Sequence, residues 1–201
     1  MNSNIAASHW RGQVVFKGSL VALATPFDSD NRVDYASLKS LIEFHISEGT
    51  DGLVIAGTTG EAATMNREEH TELVARSVEY AGGRLPIIAG TGSNSTRQTI
   101  NMSRAVSEAA DIDAFLVVVP YYNKPMQEGI YQHFSTIADA VPKPVLMYNV
   151  PGRTVADMQA DTVARLAPHP NIFGIKEATG DVARLHQILE RVSDDDFMLY
   201  S

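Results

Sequence analysis

Seven short apolar, β-branched runs recur along the chain with starts 25 to 34 residues apart, and this recurrence limits the fold more than any other feature. They occupy residues 20–24, 53–56, 87–89, 115–119, 145–148, 172–176 and 197–200. Each is almost continuously apolar, the pattern of parallel strands covered on both faces. The spacing is that of one βα unit. Between the runs lie helix-like stretches with readable ends. Asp34 is placed to cap residues 35–48, which Gly49 stops. Asn66 with Glu69 has the form of a capping box, and Gly82-Gly83 ends the helix it opens. Residues 95–110, 127–140, 161–167 and 181–193 complete six helices. No linker or low-complexity stretch interrupts them, so 18–201 reads as one domain behind an N-terminal arm over 1–17.

Alternating strands and helices fit either a doubly wound sheet or a (β/α)8 barrel. The polar clusters all follow strands, as on the face of a barrel whose loops carry chemistry. The doubly wound alternative lacks its phosphate fingerprint: Gly90-Thr91-Gly92 has no third glycine, and no Gly-Lys-Ser/Thr occurs. The α/β class expected is therefore a TIM (β/α)8 barrel. At 201 residues against roughly 250 for the usual barrel, it is expected to be truncated within or after the seventh strand.

Composition excludes several functions. The net charge of -8 and the lack of a basic stripe disfavour nucleic acid. With no cysteine there is neither a disulfide nor a thiolate. No apolar run suits a signal peptide or a membrane span, which makes the cytoplasm the expected compartment. His9, His45, His70, His133, His169 and His186 show no zinc spacing, so they read as structural or surface residues; no metal or cofactor is expected.

Of five lysines, only Lys176 ends an apolar strand. Alternation puts Ile172, Gly174 and Lys176 on one face. If that face is interior, Gly174 is expected to leave space beneath a substrate. Desolvation would then favour the neutral amine, which can attack a ketone; the plainer reading is a lysine reaching to solvent. Gly57-Thr58-Thr59-Gly60-Glu61 follows the second strand, and its successive N–H groups can cradle a carboxylate. Tyr148 ends the fifth strand, where a phenol can exchange protons with an imine. Arg153 offers a fork suited to a carboxylate. Each also has a plain reading as a turn, a core cap or a solvated charge. Tyr121 and Tyr122 point in opposite directions, suiting one to a pocket and the other to a partner.

Together, GTTGEAATM at 57–65, IIAGTGSN at 87–94, PYYNKPMQEGIYQHF at 120–134, MYNVPGRT at 147–154 and FGIKEATG at 173–180 resemble the dihydrodipicolinate synthase family of pyruvate-dependent class I aldolases, which includes sialate lyase. The resemblance extends from about Gly18 to the end. It implies a lyase of the diaminopimelate route to lysine, which condenses pyruvate with aspartate semialdehyde. Lys176 would form the imine. Thr58, Tyr148 and Tyr122 would relay protons, with Tyr122 reaching a neighbouring subunit's site. Thr58 and Thr59 N–H groups beside Gly57 would hold the pyruvate carboxylate, and Arg153 the semialdehyde's. The family's homotetramer, a dimer of dimers, is implied too, as is a lysine-regulatory site at His70, Asn94 and Tyr121. Arg67, where histidine is common, and Gln98, where an acid would take the ligand's ammonium, argue against lysine control here. Alternatives are a sialate or keto-sugar-acid lyase, which Arg153 disfavours, and a truncated, inactive chain retaining only the oligomer interface.

Overall fold

The computed structural model describes residues 16–193 and 197–201, so most of the expected N-terminal arm lies outside the described residues. The strands are β1 (Leu20–Ala22), β2 (Gly52–Ile55), β3 (Ile87–Gly90), β4 (Ala114–Val118), β5 (Val145–Asn149), β6 (Ile172–Glu177) and β7 (Met198–Tyr200). The helices are α1 (Tyr35–Ser47), α2 (Arg67–Ala81), α3 (Thr96–Ala109), α4 (Gln127–Ala140), α5 (Pro151–Thr154), α6 (Ala160–Leu166) and α7 (Val182–Leu189), with a 3-10 turn at Ala62–Thr64. Strand order in the sheet follows the chain, β1 to β7. The pairs β1–β2, β2–β3, β5–β6 and β6–β7 are parallel. Strands in sequence order with helical crossovers are the (β/α)-barrel pattern, as expected.

The described residues fall into two compact units. The first comprises residues 16–91 with Met102–Phe115. Here α1 packs on α2, and Leu38, Ile42, Leu73 and Val74 are buried with the fully buried β2 and β3. The helix ends follow the sequence. The Asp34 carboxylate accepts from Ala36 and Ser37 N–H, each at 3.1 Å. Asn66 accepts from Glu69 N–H at 2.9 Å, and Gly82 leaves α2 at φ 58°. At Gly90 a Cβ would collide with the Ala56 carbonyl oxygen, so β3 approaches the end of β2 as closely as only glycine permits.

The second unit comprises Gly92–Asn101 with Leu116–Ser201. Helix α4 packs on α6 and α6 on α7; Ile130, Phe134, Ile137, Val163 and Leu166 are buried there. Gly174 has a different use from the one expected. Its missing side chain leaves no room beneath a substrate, because a Cβ would run into the carbonyl oxygen of Met198 and lie 3.0 Å from its Cβ. The space is occupied by β7.

Backbone strain gathers in the loops that follow strands. The described non-glycine residues with positive φ are Asn31, Ala56, Glu61, Tyr122, Lys124 and Val155. They lie after β1, β2, β4 and β5. Such conformations persist only where their surroundings enforce them, and they concentrate at functional sites.

Candidate active site

Lys176 is the fifth residue of the six-residue β6. Its register partners are Tyr148 on β5 and Tyr200 on β7, so a phenol stands on each flanking strand. The Lys176 Nζ lies 5.0 Å from the centroid of the Tyr148 ring. Tyr148 is buried and Lys176 half-buried. Burial pushes the amine's pKa below the ordinary 10.5. The Tyr148 π face attracts the ammonium form, but burial acts against it and prevails. It can therefore be deprotonated and become a nucleophile. Burial drives the Tyr200 phenol the other way, up to about 12, so that it keeps its proton.

Three other lysines differ. Lys39 is exposed on α1 with its Nζ 5.8 Å from the Tyr80 ring centroid, and Lys17 and Lys124 are exposed.

Tyr148 and Lys176 are held by the residues that follow them. Asn149 and Glu177 are the next register pair, facing the opposite side of the sheet by strand alternation. Asn149 is 0% and Glu177 2% exposed. The Asn149 amide nitrogen donates to Glu177 at 3.0 and 3.3 Å and to Asp157 at 2.9 Å, while its oxygen accepts from Met158 N–H at 3.0 Å. Thr179 N–H donates to Glu177 at 2.9 Å. Arg184 of α7 donates to both Asp157 oxygens and to the Met158 carbonyl. Burial pushes the Asp157 carboxyl up, but hydrogen bonds from Arg184 and Asn149 and the guanidinium charge outweigh it, leaving the pKa lowered. Sequence reading missed all four of these side chains. The available signal was that Asn149 and Glu177 each follow a singled-out residue at the end of an apolar strand.

The loops after β4 and β5 meet through Tyr122 N–H, which donates to the Thr154 carbonyl at 3.1 Å. Tyr122 is 87% exposed, with Met126 and Val155 also exposed. Tyr121 is exposed as well, so neither tyrosine turns inward within the chain. Arg153 is exposed on α5. Its helix starts at Pro151, which suits the first turn because it lacks an N–H.

Gly57, Thr58 and Thr59 belong to the first unit. Gly57 is buried, while Thr58 and Thr59 are exposed. Left-handed residues bracket the turn, Ala56 at φ 54° and Glu61 at φ 58°. Thr25 anchors it by donating to the Gly60 carbonyl at 2.8 Å. His70 is buried in α2, and its pKa is lowered by that burial against a backbone hydrogen bond to Gly90. Asn94 is half-buried in the loop after β3. Of the other histidines, His133 is buried beside Thr96, His45 bonds Thr50, His169 bonds Asp139, and His186 is exposed; His9 lies outside the described residues.

Known proteins share both sequence and fold. Residues 15–201 match the dihydrodipicolinate synthetase family. A 4-hydroxy-tetrahydrodipicolinate synthase of Aromatoleum aromaticum is 55% identical over 184 residues, covering 92% of this chain and 62% of the relative. The synthase of Pseudomonas aeruginosa is 54% identical over 184 residues, with the same coverage of 92% and 62%. The crystal structure of dihydrodipicolinate synthase from Bacillus anthracis superposes with a TM-score of 0.90 at 44% identity, over 94% of this chain and 64% of that one. The pyruvate complex of the chloride-inhibited synthase from Acinetobacter baumannii gives 0.90 at 49% identity, over 93% and 64%. The chain thus spans less than two thirds of the length of the curated relatives it matches. It belongs to the dihydrodipicolinate synthetase family.

Proposed function

We propose that this chain serves a lyase that condenses pyruvate with L-aspartate 4-semialdehyde to 4-hydroxy-tetrahydrodipicolinate, in the diaminopimelate route to lysine. The observation that carries the reading is the half-buried Lys176 amine at the ring of Tyr148, its pKa lowered by burial. A solved relative at 49% identity is complexed with pyruvate.

In this reading the neutral amine adds to the pyruvate ketone and water leaves, giving an imine. Loss of a methyl proton converts the imine to an enamine, which attacks the aldehyde carbon. The amino group of the semialdehyde portion then displaces Lys176 as the ring closes. Tyr148, with Thr58 and a Tyr122 supplied to a neighbouring subunit, moves the protons. The Thr58 and Thr59 N–H groups after Gly57 hold the pyruvate carboxylate. Arg153 binds the semialdehyde carboxylate. The exposure of Tyr122 supports its use by another subunit, and the homotetramer of paired dimers is proposed from the family resemblance. Among the described residues no helix is long and apolar enough to cross a membrane; the cytoplasmic setting is proposed from the family resemblance. The candidate lysine site at His70, Asn94 and Tyr121 rests on the resemblance, with Arg67 and Gln98 weighing against lysine control; a solved relative from Cyanidioschyzon merolae has lysine bound.

The test is borohydride reduction in the presence of pyruvate, followed by peptide mass spectrometry. The expected result is one stable adduct, on Lys176, lost in Lys176→Ala. Folded protein without an adduct would defeat the reading.

A further inference from the structure

We propose that the buried Asn149–Glu177 pair is a positioning device for the two residues beside it, fixing how the Lys176 amine meets the Tyr148 phenol. This deepens the proposed Schiff-base reading and rests on it. Tyr148 and Lys176 form one rung of the β5–β6 ladder, and Asn149 and Glu177 form the next. Alternation sends the two rungs to opposite faces of the sheet. A shift of the second rung must therefore move the first through two peptide units.

The second rung has a single satisfactory arrangement. Both hydrogens of the Asn149 amide are engaged by carboxylates, from Glu177 and Asp157, and its oxygen takes the Met158 N–H. Turning the amide over would set its oxygen against two carboxylates and leave a buried N–H without an acceptor, at a cost of about 1–3 kcal/mol for the orphaned group alone. Arg184 then ties Asp157 and the Met158 carbonyl to α7. Thr179 ties Glu177 to the loop after β6. Both strand ends and both following loops are thus locked at one amide. A plain surface polar pair would have no such convergence, and an apolar pair could not specify register.

The experiment compares Glu177→Ala and Asn149→Leu with Glu177→Gln, which keeps one acceptor, at the oxygen that takes the Thr179 and Asn149 N–H groups, and sets a donor amide against the Asn149 nitrogen at the other. For each folded variant, the rate of adduct formation is measured against pyruvate concentration. Misplacement of a reacting group by about 1 Å can cost on the order of 100-fold. The expected result is a 10- to 100-fold lower maximal rate for Glu177→Ala and Asn149→Leu (on the order of that misplacement cost), an unchanged half-saturating pyruvate concentration, and recovery of part of the rate in Glu177→Gln. A purely structural role would lower the folded fraction without this split. Wild-type maximal rates in Glu177→Ala and Asn149→Leu would overturn the proposal.

A second readout does not need pyruvate: competitive acetylation of Lys176 relative to the exposed Lys39, read by mass spectrometry. The ratio should change in Glu177→Ala and Asn149→Leu and return toward wild type in Glu177→Gln. An unchanged ratio overturns the positioning role. Absence of a wild-type adduct defeats the Schiff-base reading alone, and the acetylation ratio then decides this one.

Discussion

The turn after β2 and the turn after β5 begin alike, each at the end of a buried strand, but they are held by different parts of the chain. After β2 the backbone does most of the holding. Left-handed residues at Ala56 and Glu61 bracket the turn, and the hydroxyls that anchor it, Thr25 on the Gly60 carbonyl and Thr64 on the Glu61 carbonyl, lie outside it. The turn's own side chains, Thr58 and Thr59, are left exposed. After β5 the side chains hold. Asn149 spends its whole amide on neighbours, and the Thr154 hydroxyl donates to backbone carbonyls of its own loop. A turn shaped by its backbone keeps its side chains available to a ligand. One shaped by side chains consumes them, and leaves reactive work to the strand residue before it.

Four measurements can break or sharpen this contrast. The largest effect is expected for Asn149→Ala, which removes the hub and leaves the buried Glu177 and the half-buried Asp157 short of a donor. It should cost about 3 kcal/mol in urea unfolding; under 1 kcal/mol would show that the turn does not depend on its side chain. Thr25→Val should cost less, about 1–2 kcal/mol, since only the Gly60 carbonyl loses its partner.

Lys176→Met should act in the opposite direction and raise the melting temperature at neutral pH. The folded-state pKa is depressed by burial, so an ammonium there is penalised below that pKa. The penalty fades as pH rises toward the unfolded value of 10.5. The gain from the substitution should therefore shrink between pH 7 and pH 10; a constant gain would point to packing instead. The smallest effect is expected for the joint replacement of Thr58 and Thr59 by valine, within about 0.5 kcal/mol in stability. Adduct formation in that variant should nevertheless fall, which is what separates a ligand-facing turn from a structural one.

Much of this arrangement could be read before the structure. The apolar runs located the seven strands of the described residues, and Asp34, Asn66 and Gly82 marked helix ends, because these signals act within a few residues of one another. Lys176 stood out for the same reason, as a charge closing an apolar run. What escaped was contact that depends on register between distant segments. Asn149 meets Glu177 across 28 positions, and Arg184 meets Asp157 across 27. Helix α5 escaped because its four residues are too few to show a period. Gly174 was correctly placed on the face of Lys176, but what fills the volume beside a glycine is decided by another strand.

That volume has an evolutionary reading. With the Met198 carbonyl seated where a side chain at 174 would project, the strand bearing the amine is joined to its neighbour at a point two residues away. Position 174 cannot drift to a larger residue and be tolerated as a neutral change. Any enlargement would prise the strands apart and tilt the amine with them, so the residue with no side chain would govern where the reactive one can point.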